Sequence, residues 1–71
     1  MAEVEDVLRR LVGQRVRLHC RPGVPYENPL VGALERVEGS QVLVRVHPRR
    51  LDGIPVTDIV DVDILADNED R

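Results

Sequence analysis

The stretch GQRVRLHCRPG, residues 13–23, decides the fold because it alternates aliphatic and basic side chains with a period of two. Such alternation predicts a β-strand with one buried face and one solvated face. Val16, Leu18 and Cys20 fall on the predicted inner face. The outer face carries basic side chains: Arg15, Arg17, His19 and Arg21. Function depends on whether this basic row binds phosphates or pairs with carboxylates elsewhere in the fold.

The residues before Gly13 have a helical period instead. Aliphatic side chains recur there at the i, i+3, i+4 and i+7 positions of one helix face: Val4, Val7, Leu8 and Leu11. Acidic residues occupy the first turn and Arg9 and Arg10 the last, which matches the helix dipole. Gly13 is a natural C-terminal stop. The pattern predicts a helix at about 3–12.

After Gly13 the period of two continues to the end of the apolar sequence. It predicts strands at about 14–21, 30–38, 42–47, 54–56 and 59–65. The prolines of RPGVPYENPL predict a long, stiff loop after the first strand, and PRRLDG predicts another after the third. Gly32 indicates a sharp bend or a close backbone approach in the second strand. A tight turn is expected at Thr57 and Asp58.

These elements predict a mainly β protein in which an N-terminal helix precedes a small, strongly bent five-stranded barrel. The whole chain, 1–71, is expected to be a single domain, with the barrel over about 14–65 and a solvated acidic tail at 66–71. With no Phe and no Trp, its core must be built from Val, Leu and Ile.

The net charge of −3 conceals a segregation of charge along the chain. Residues 9–50 carry nine Arg and three Glu, whereas residues 51–71 carry seven acidic residues and one Arg. In the predicted barrel the first strand lies beside the fifth, where Val60, Val62 and Ile64 are expected inward and Asp61 and Asp63 outward. Pairing of these carboxylates with the basic row is one explanation of the segregation, and a phosphate-binding row is the other.

The strongest candidate contact residues lie outside that row. Arg45, His47 and Arg49 belong to the third strand and its following loop, where Asp52 is the only nearby acid in the sequence. Arginine suits such a site because its planar guanidinium holds phosphate or carboxylate in two places. Tyr26, the sole aromatic residue, is a candidate loop anchor. The predicted RNA or partner site comprises Arg21, Tyr26, Arg45, His47, Arg49 and Arg50.

The sequence predicts no catalysis, no cofactor and no metal site. His19 and Cys20 are adjacent in a strand and point to opposite faces, so they cannot readily share one metal ion. A barrel filled with aliphatic side chains leaves no obvious cleft for a general acid or base. The single cysteine and the lack of a membrane-length apolar run predict a cytoplasmic protein without a membrane partner.

The segments LVGQRVRLHCRPGVPYENPLVGALERVEGSQVLVRV and IPVTDIVDVDIL resemble the C-terminal domain of the bacterial ribosome maturation factor RimP family. The resemblance spans about 11–65. It includes the distances between Gly13, Val16, Arg21, Gly32, Val37 and Gly39. It implies an SH3-like barrel, close in architecture to Sm-like proteins, and a binding role in RNA metabolism or ribosome assembly with RNA or a ribosomal protein as partner.

The chain also departs from both families. RimP-like proteins carry an N-terminal α/β domain, whereas here only a helix precedes the barrel. The RNA-contacting residues of Sm-like proteins are replaced by VEGSQV and PVTDIV, and Pro55 lacks an N–H that a ring contact would need. The alternative function is therefore a protein–protein or self-associating module, a homo-oligomer included, with Val24, Leu43 and Leu51 as its contact patch.

Overall fold

The computed structural model describes residues 4–65, so the predicted acidic tail at 66–71 lies outside the described part. The elements are helix α1 Val4–Arg10, strands β1 Arg15–Cys20, β2 Leu30–Glu38, β3 Gln41–His47 and β4 Arg50–Pro55, a 3-10 turn Val56–Asp58, and strand β5 Ile59–Ile64. The predicted class, a mainly β fold with one N-terminal helix and five strands, is confirmed.

The five strands form one antiparallel sheet in the order β4-β3-β2-β1-β5. Strand β1 therefore lies between β2 and β5, as the sequence predicted. Within residues 4–65 the sheet is not closed into a barrel, because β4 and β5 remain its two edges.

The connection between β4 and β5 shows how strongly the sheet bends. Flat, the two edges of a five-stranded sheet would stand about 19 Å apart, at about 4.8 Å per strand spacing. Yet only the three-residue 3-10 turn Val56–Asp58 joins them, and such a turn rises about 2 Å per residue. The sheet must therefore curl until its edges meet at that end.

The concave face of the curled sheet holds an aliphatic core. Its fully buried side chains come from the helix and from four of the strands: Leu8, Val16, Leu18, Leu30, Leu34, Val42, Val44 and Ile54. Val16, Leu18 and Cys20 are buried as the alternation of β1 predicted. Leu11 closes one end of the core, where the Gly13 N–H donates to the Leu34 carbonyl at 2.8 Å.

Gly32 occupies a place where no side chain fits. A Cβ there would lie 2.6 Å from the Arg45 carbonyl oxygen and 2.7 Å from Val44 Cγ1. This is the close backbone approach that the sequence indicated. It lets β2 approach β3 closely where the sheet bends, as a strongly curved sheet requires.

Two expectations about the second half of the chain are wrong. The segment 48–53 is not a loop: only Pro48 and Arg49 turn the chain, and β4 starts at Arg50, which pairs with His47. The two-residue turn suffices because β3 and β4 are adjacent antiparallel strands.

The second error concerns β5, where the predicted inward orientation of Val60 is wrong while Val62 packs against the core as predicted. Val60 and Ile64 are 62% and 55% exposed, whereas Ile59 and Leu65 are buried. A register shift opposite His19 and Cys20 displaces Val60 from the inner face. Ile64 does lie opposite buried Val16, but it sits at the sheet edge, where no further strand of the described residues covers it.

Candidate functional site

The basic row of β1 meets the carboxylates of β5. The His19 ring Nε2–H donates to Asp63 Oδ2 at 2.7 Å, and Arg17 Nη1 lies 3.5 Å from the same oxygen. Arg17 stands opposite Asp63 and His19 opposite Asp61 in the strand register. The hydrogen bond from His19 lowers the pKa of the Asp63 carboxyl. Of the two interpretations of this row, structural pairing is the one the geometry supports.

The predicted contact residues of β3 and its turn come together at one hairpin tip, defined here as residues 45–50. The Pro48–Arg49 turn brings His47 opposite Arg50, and the Arg49 backbone N–H donates to His47 Nδ1 at 3.4 Å. The arginine and histidine side chains of the hairpin tip are exposed or half-buried. The structure thus places these predicted residues together at the end of the β3–β4 hairpin.

The arginines of the hairpin tip are mostly paired with carboxylates. Arg45 Nε donates to Glu35 Oε2 at 2.9 Å, which raises the pKa of Arg45 and lowers that of Glu35. Arg50 makes a bidentate pair with Asp52 at 3.0 and 2.9 Å, and this raises its pKa. Within residues 4–65, the Arg49 side chain makes no ion pair. The sequence missed Glu35 because its proximity depends on how β2 and β3 align.

Arg21 and Tyr26, the other two predicted contact residues, are bound to a carboxylate near the core. The Tyr26 hydroxyl donates to Asp58 Oδ2 at 2.6 Å, and Arg21 Nε lies 2.8 Å from Asp58 Oδ1. The backbone adds a bond from the Arg21 N–H to the Asp58 carbonyl at 2.9 Å. Asp58, expected to be a plain turn residue, is only 9% exposed. It joins the proline-rich loop to the 3-10 turn.

Asn28 completes this cluster, which we name the loop latch: Arg21, Tyr26, Asn28 and Asp58. The Asn28 side chain accepts from the Cys20 N–H at 2.9 Å and donates to the Cys20 carbonyl at 2.7 Å. Burial, together with the bond to Asp58, raises the pKa of Tyr26 far above its ordinary value. Burial also raises the pKa of the Cys20 thiol, as for an inert core cysteine. The loop latch thus orders the loop.

The loop latch and the hairpin tip are neighbours. Arg50 Nη1 lies 3.7 Å from Glu27 Oε1, one residue beyond Tyr26 in the loop. The two groups of predicted contact residues therefore occupy one side of the molecule. Their arginines, Arg49 excepted, already bind carboxylates there.

A further exposed surface lies at β5, and the sequence did not identify it. We name it the β5 edge: Val60, Asp61, Val62 and Ile64. Val60 and Ile64 are the most exposed of the large hydrophobic side chains among residues 4–65. Asp61 Oδ1 accepts the Val62 backbone N–H at 2.9 Å. No local sequence signal marks this surface, because the exposure of Val60 follows from a register shift between β5 and β1.

Residues 4–65 enclose no pocket and bring no three His, Cys, Asp or Glu side chains into a metal-binding arrangement. No helix in this range is long and apolar enough to span a bilayer.

Comparison with known proteins adds no assignment to these surfaces. No family model, no curated protein and no solved structure matches the chain.

Proposed function

We propose that this chain is a non-catalytic protein-interaction module that uses the β5 edge as its contact surface. The observation that carries the proposal is the exposure of Val60 and Ile64, at 62% and 55%, on a strand whose second side pairs with no strand within residues 4–65. A hydrophobic edge strand is a template for pairing with another chain, and soluble proteins rarely leave one uncovered.

The charge distribution favours a protein over a nucleic acid as partner. Nucleic-acid binding draws most of its affinity from cations that neutralise phosphates. Residues 4–65 contain nine arginines and nine acidic residues. At the hairpin tip, Arg45 and Arg50 already bind Glu35 and Asp52. A phosphate there must displace these carboxylates, so the local attraction for a polyanion is weak.

The test compares two double variants. Val60→Ser with Ile64→Ser alters the β5 edge, and Val4→Ser with Val12→Ser removes two other exposed aliphatic side chains, 40% and 44% exposed. Tagged proteins are incubated with RNase-treated extract of the source cells, and retained proteins are quantified at low and high salt. We expect the β5 variant to retain about tenfold less of a partner protein whose binding resists high salt, whereas the control variant should retain the normal amount. Equal retention by both variants contradicts the proposal, provided circular dichroism shows both folded.

The second candidate function is RNA binding at the hairpin tip, in RNA metabolism or ribosome assembly, as the resemblance to the RimP family implies. It is favoured by one observation: Arg49 is exposed beside His47 and makes no ion pair among the described residues. For this function, Arg49→Ser with Arg50→Ser must abolish retention of RNA, and retention must fall steeply as salt rises. Unchanged RNA retention in that variant rules out this site.

Self-association is the third outcome to be measured. Light scattering of the purified chain, before and after RNase treatment, reports a monomer, a homo-oligomer or a complex with RNA. If the native chain is a homo-oligomer and the β5 variant is a monomer, the β5 edge binds a second copy of the chain.

A further inference from the structure

We propose that the β5 edge receives an extended segment of a partner protein as a sixth strand, and that this segment alternates cationic and aliphatic side chains. The inference rests on the proposed protein-interaction function and names its partner by chemistry. It follows from three features of β5: the direction of its backbone groups, the two faces of its side chains, and the contact of Asp61.

The backbone of β5 has hydrogen-bonding groups directed away from the sheet. The Leu65 N–H donates to the Arg15 carbonyl of β1 at 2.8 Å. In an antiparallel ladder, alternate residues point to the same neighbour, so the N–H groups of residues 61 and 63 also face β1. Those of Val62 and Ile64 then face the open side. An added strand pairs with these groups, as in peptide recognition by strand addition.

The side chains of β5 define what such a strand must carry. On its inner side, β5 already pairs with an alternating basic and aliphatic strand, in the register Val16–Ile64, Arg17–Asp63, Leu18–Val62 and His19–Asp61. A strand on the open side meets the same two faces. Asp63 already binds His19 and Arg17, whereas Asp61 makes no ion pair within the described residues. A cation on the partner therefore belongs opposite Asp61, and aliphatic side chains belong beside Val62 and Ile64.

Asp61 also makes the open edge selective. Its Oδ1 accepts the Val62 N–H at 2.9 Å, which occupies a group that an arriving strand needs. On strand addition, a partner carbonyl replaces Asp61 Oδ1, and the released carboxylate turns to a partner cation. The number of hydrogen bonds at Val62 is unchanged. A segment without a cation leaves the displaced carboxylate without a new partner, so charged edges of this kind exclude unspecific pairing.

A second copy of this chain fits the β5 edge poorly. Strand β5 contains only Ile, Val and Asp, so against another β5 each carboxylate faces an acid or an aliphatic side chain. Like charges in facing positions destabilise a strand pair. Strand β4, the other edge, offers one cation, Arg50, which Asp52 already holds, and its Pro55 has no N–H to donate. A heterologous basic segment is the better occupant.

The test uses synthetic peptides and the full chain. The probe is a seven-residue peptide that alternates valine and arginine, with blocked ends and a fluorescent label. Two control peptides carry the same residues in separate blocks of valine and arginine, or glutamate in place of arginine. Binding is measured by fluorescence anisotropy, and amide exchange of β5 by NMR. The matched protein variants are Asp61→Asn and Glu38→Gln, the latter an exposed strand carboxylate on β2.

We expect the alternating peptide to bind at least tenfold more tightly than either control peptide. At saturation it should slow exchange of the Val62 and Ile64 amides at least tenfold. Asp61→Asn should weaken binding by about 1.5- to 5-fold, the range for opposite charges that face each other across strands. Glu38→Gln should leave the affinity unchanged.

Three results would overturn the inference. The first is equal binding of the control peptide that carries valine and arginine in separate blocks. The second is peptide binding without slower exchange of the Val62 and Ile64 amides. The third is slow exchange of both amides in the protein alone, which assigns the edge to a second copy or to another part of this chain. If the Val60→Ser, Ile64→Ser variant loses its cellular partner while no peptide protects β5, the proposed function stands and strand addition fails. If both experiments fail, the proposed function fails with it.

Discussion

Replacing Tyr26 by Phe removes a single hydroxyl group and tests whether the loop latch stabilises the fold. The hydroxyl donates to Asp58 Oδ2 at 2.6 Å, while Arg21 Nε holds the other oxygen at 2.8 Å. The aromatic ring remains in the variant and continues to pack against the core. The loss therefore isolates one hydrogen bond to a charged acceptor.

The expected cost follows from the burial of that acceptor. Hydrogen bonds to charged groups contribute about 1.5–3 kcal/mol. The Asp58 side chain is 13% exposed, so water replaces part of the lost contact and the lower half of this range applies. A loss of about 2 kcal/mol in a chain of this size lowers Tm by about 8–16 °C.

Urea denaturation followed by circular dichroism measures this loss directly. Asp58→Asn supplies the control, because its amide oxygen still accepts from Tyr26 but carries no charge. In that background, Tyr26→Phe should cost about 1 kcal/mol, the value for a neutral hydrogen bond. A cost below about 0.5 kcal/mol in the native background would refute the argument, since exposed positions already show effects of that size.

Alkaline titration tests the same contact without a substitution. Tyr26 is the only aromatic residue, so phenolate absorbance reports this group alone. Its pKa is raised by burial and by Asp58, so the fold favours the neutral phenol. This contribution to stability is complete below the ordinary pKa of about 10 and is lost as pH rises above it. Folded protein should keep the phenol protonated above pH 10, and earlier ionisation would contradict the latch.

Three further substitutions test the fold, each by the free energy of unfolding. Gly32→Ala should cost about 1–3 kcal/mol, because its Cβ would lie 2.6 Å from the Arg45 carbonyl oxygen, and a neutral effect would contradict that close approach. Leu34→Ala, at a fully buried position, should cost about 2–5 kcal/mol, and a smaller loss would show that the core collapses around the cavity. The hydrogen bond from His19 lowers the pKa of Asp63, so this contact stabilises the fold at pH values above the ordinary Asp pKa, and the stabilisation is lost as pH falls through the pKa of the folded state. Asp63→Asn should therefore reduce the loss of stability in acid, and an unchanged dependence of stability on acidic pH would contradict this contribution.

The first half of the fold could be predicted because local rules agree there. The alternation of residues 15–20 and the helical spacing before Gly13 each have one interpretation, and both were confirmed. Gly13 has φ +93°, a backbone conformation that favours glycine, so the end of the helical segment could be placed as well. The pairing of β1 with β5 followed from the predicted barrel topology, and this pairing in turn brings Asp63 to the basic row.

The candidate sites were harder to predict because they depend on contacts distant in sequence. Asp58 and Tyr26 are 32 residues apart, and nothing local distinguishes Asp58 from an ordinary turn residue. Arg45 and Glu35 are ten residues apart and meet because Ala33 pairs with Arg45, which makes Glu35 the diagonal neighbour of Arg45 across the two strands. Sequence patterns identify which side chains are charged, but alignment between strands decides which charges remain available.

The orientation of β5 shows how one residue changes the functional conclusion. The alternation of IVDVDI, taken alone, buries Val60 together with Val62 and Ile64. The register shift opposite His19 and Cys20 adds one residue on the β5 side, so Ile59 enters the core and Val60 turns out of it. Because side chains alternate with a period of two, a shift of one residue exchanges buried and exposed positions. The exposure of Val60 is thus a consequence of the bulge, whereas Ile64 keeps its register opposite Val16 and is exposed because β5 is an edge of the sheet formed by residues 4–65.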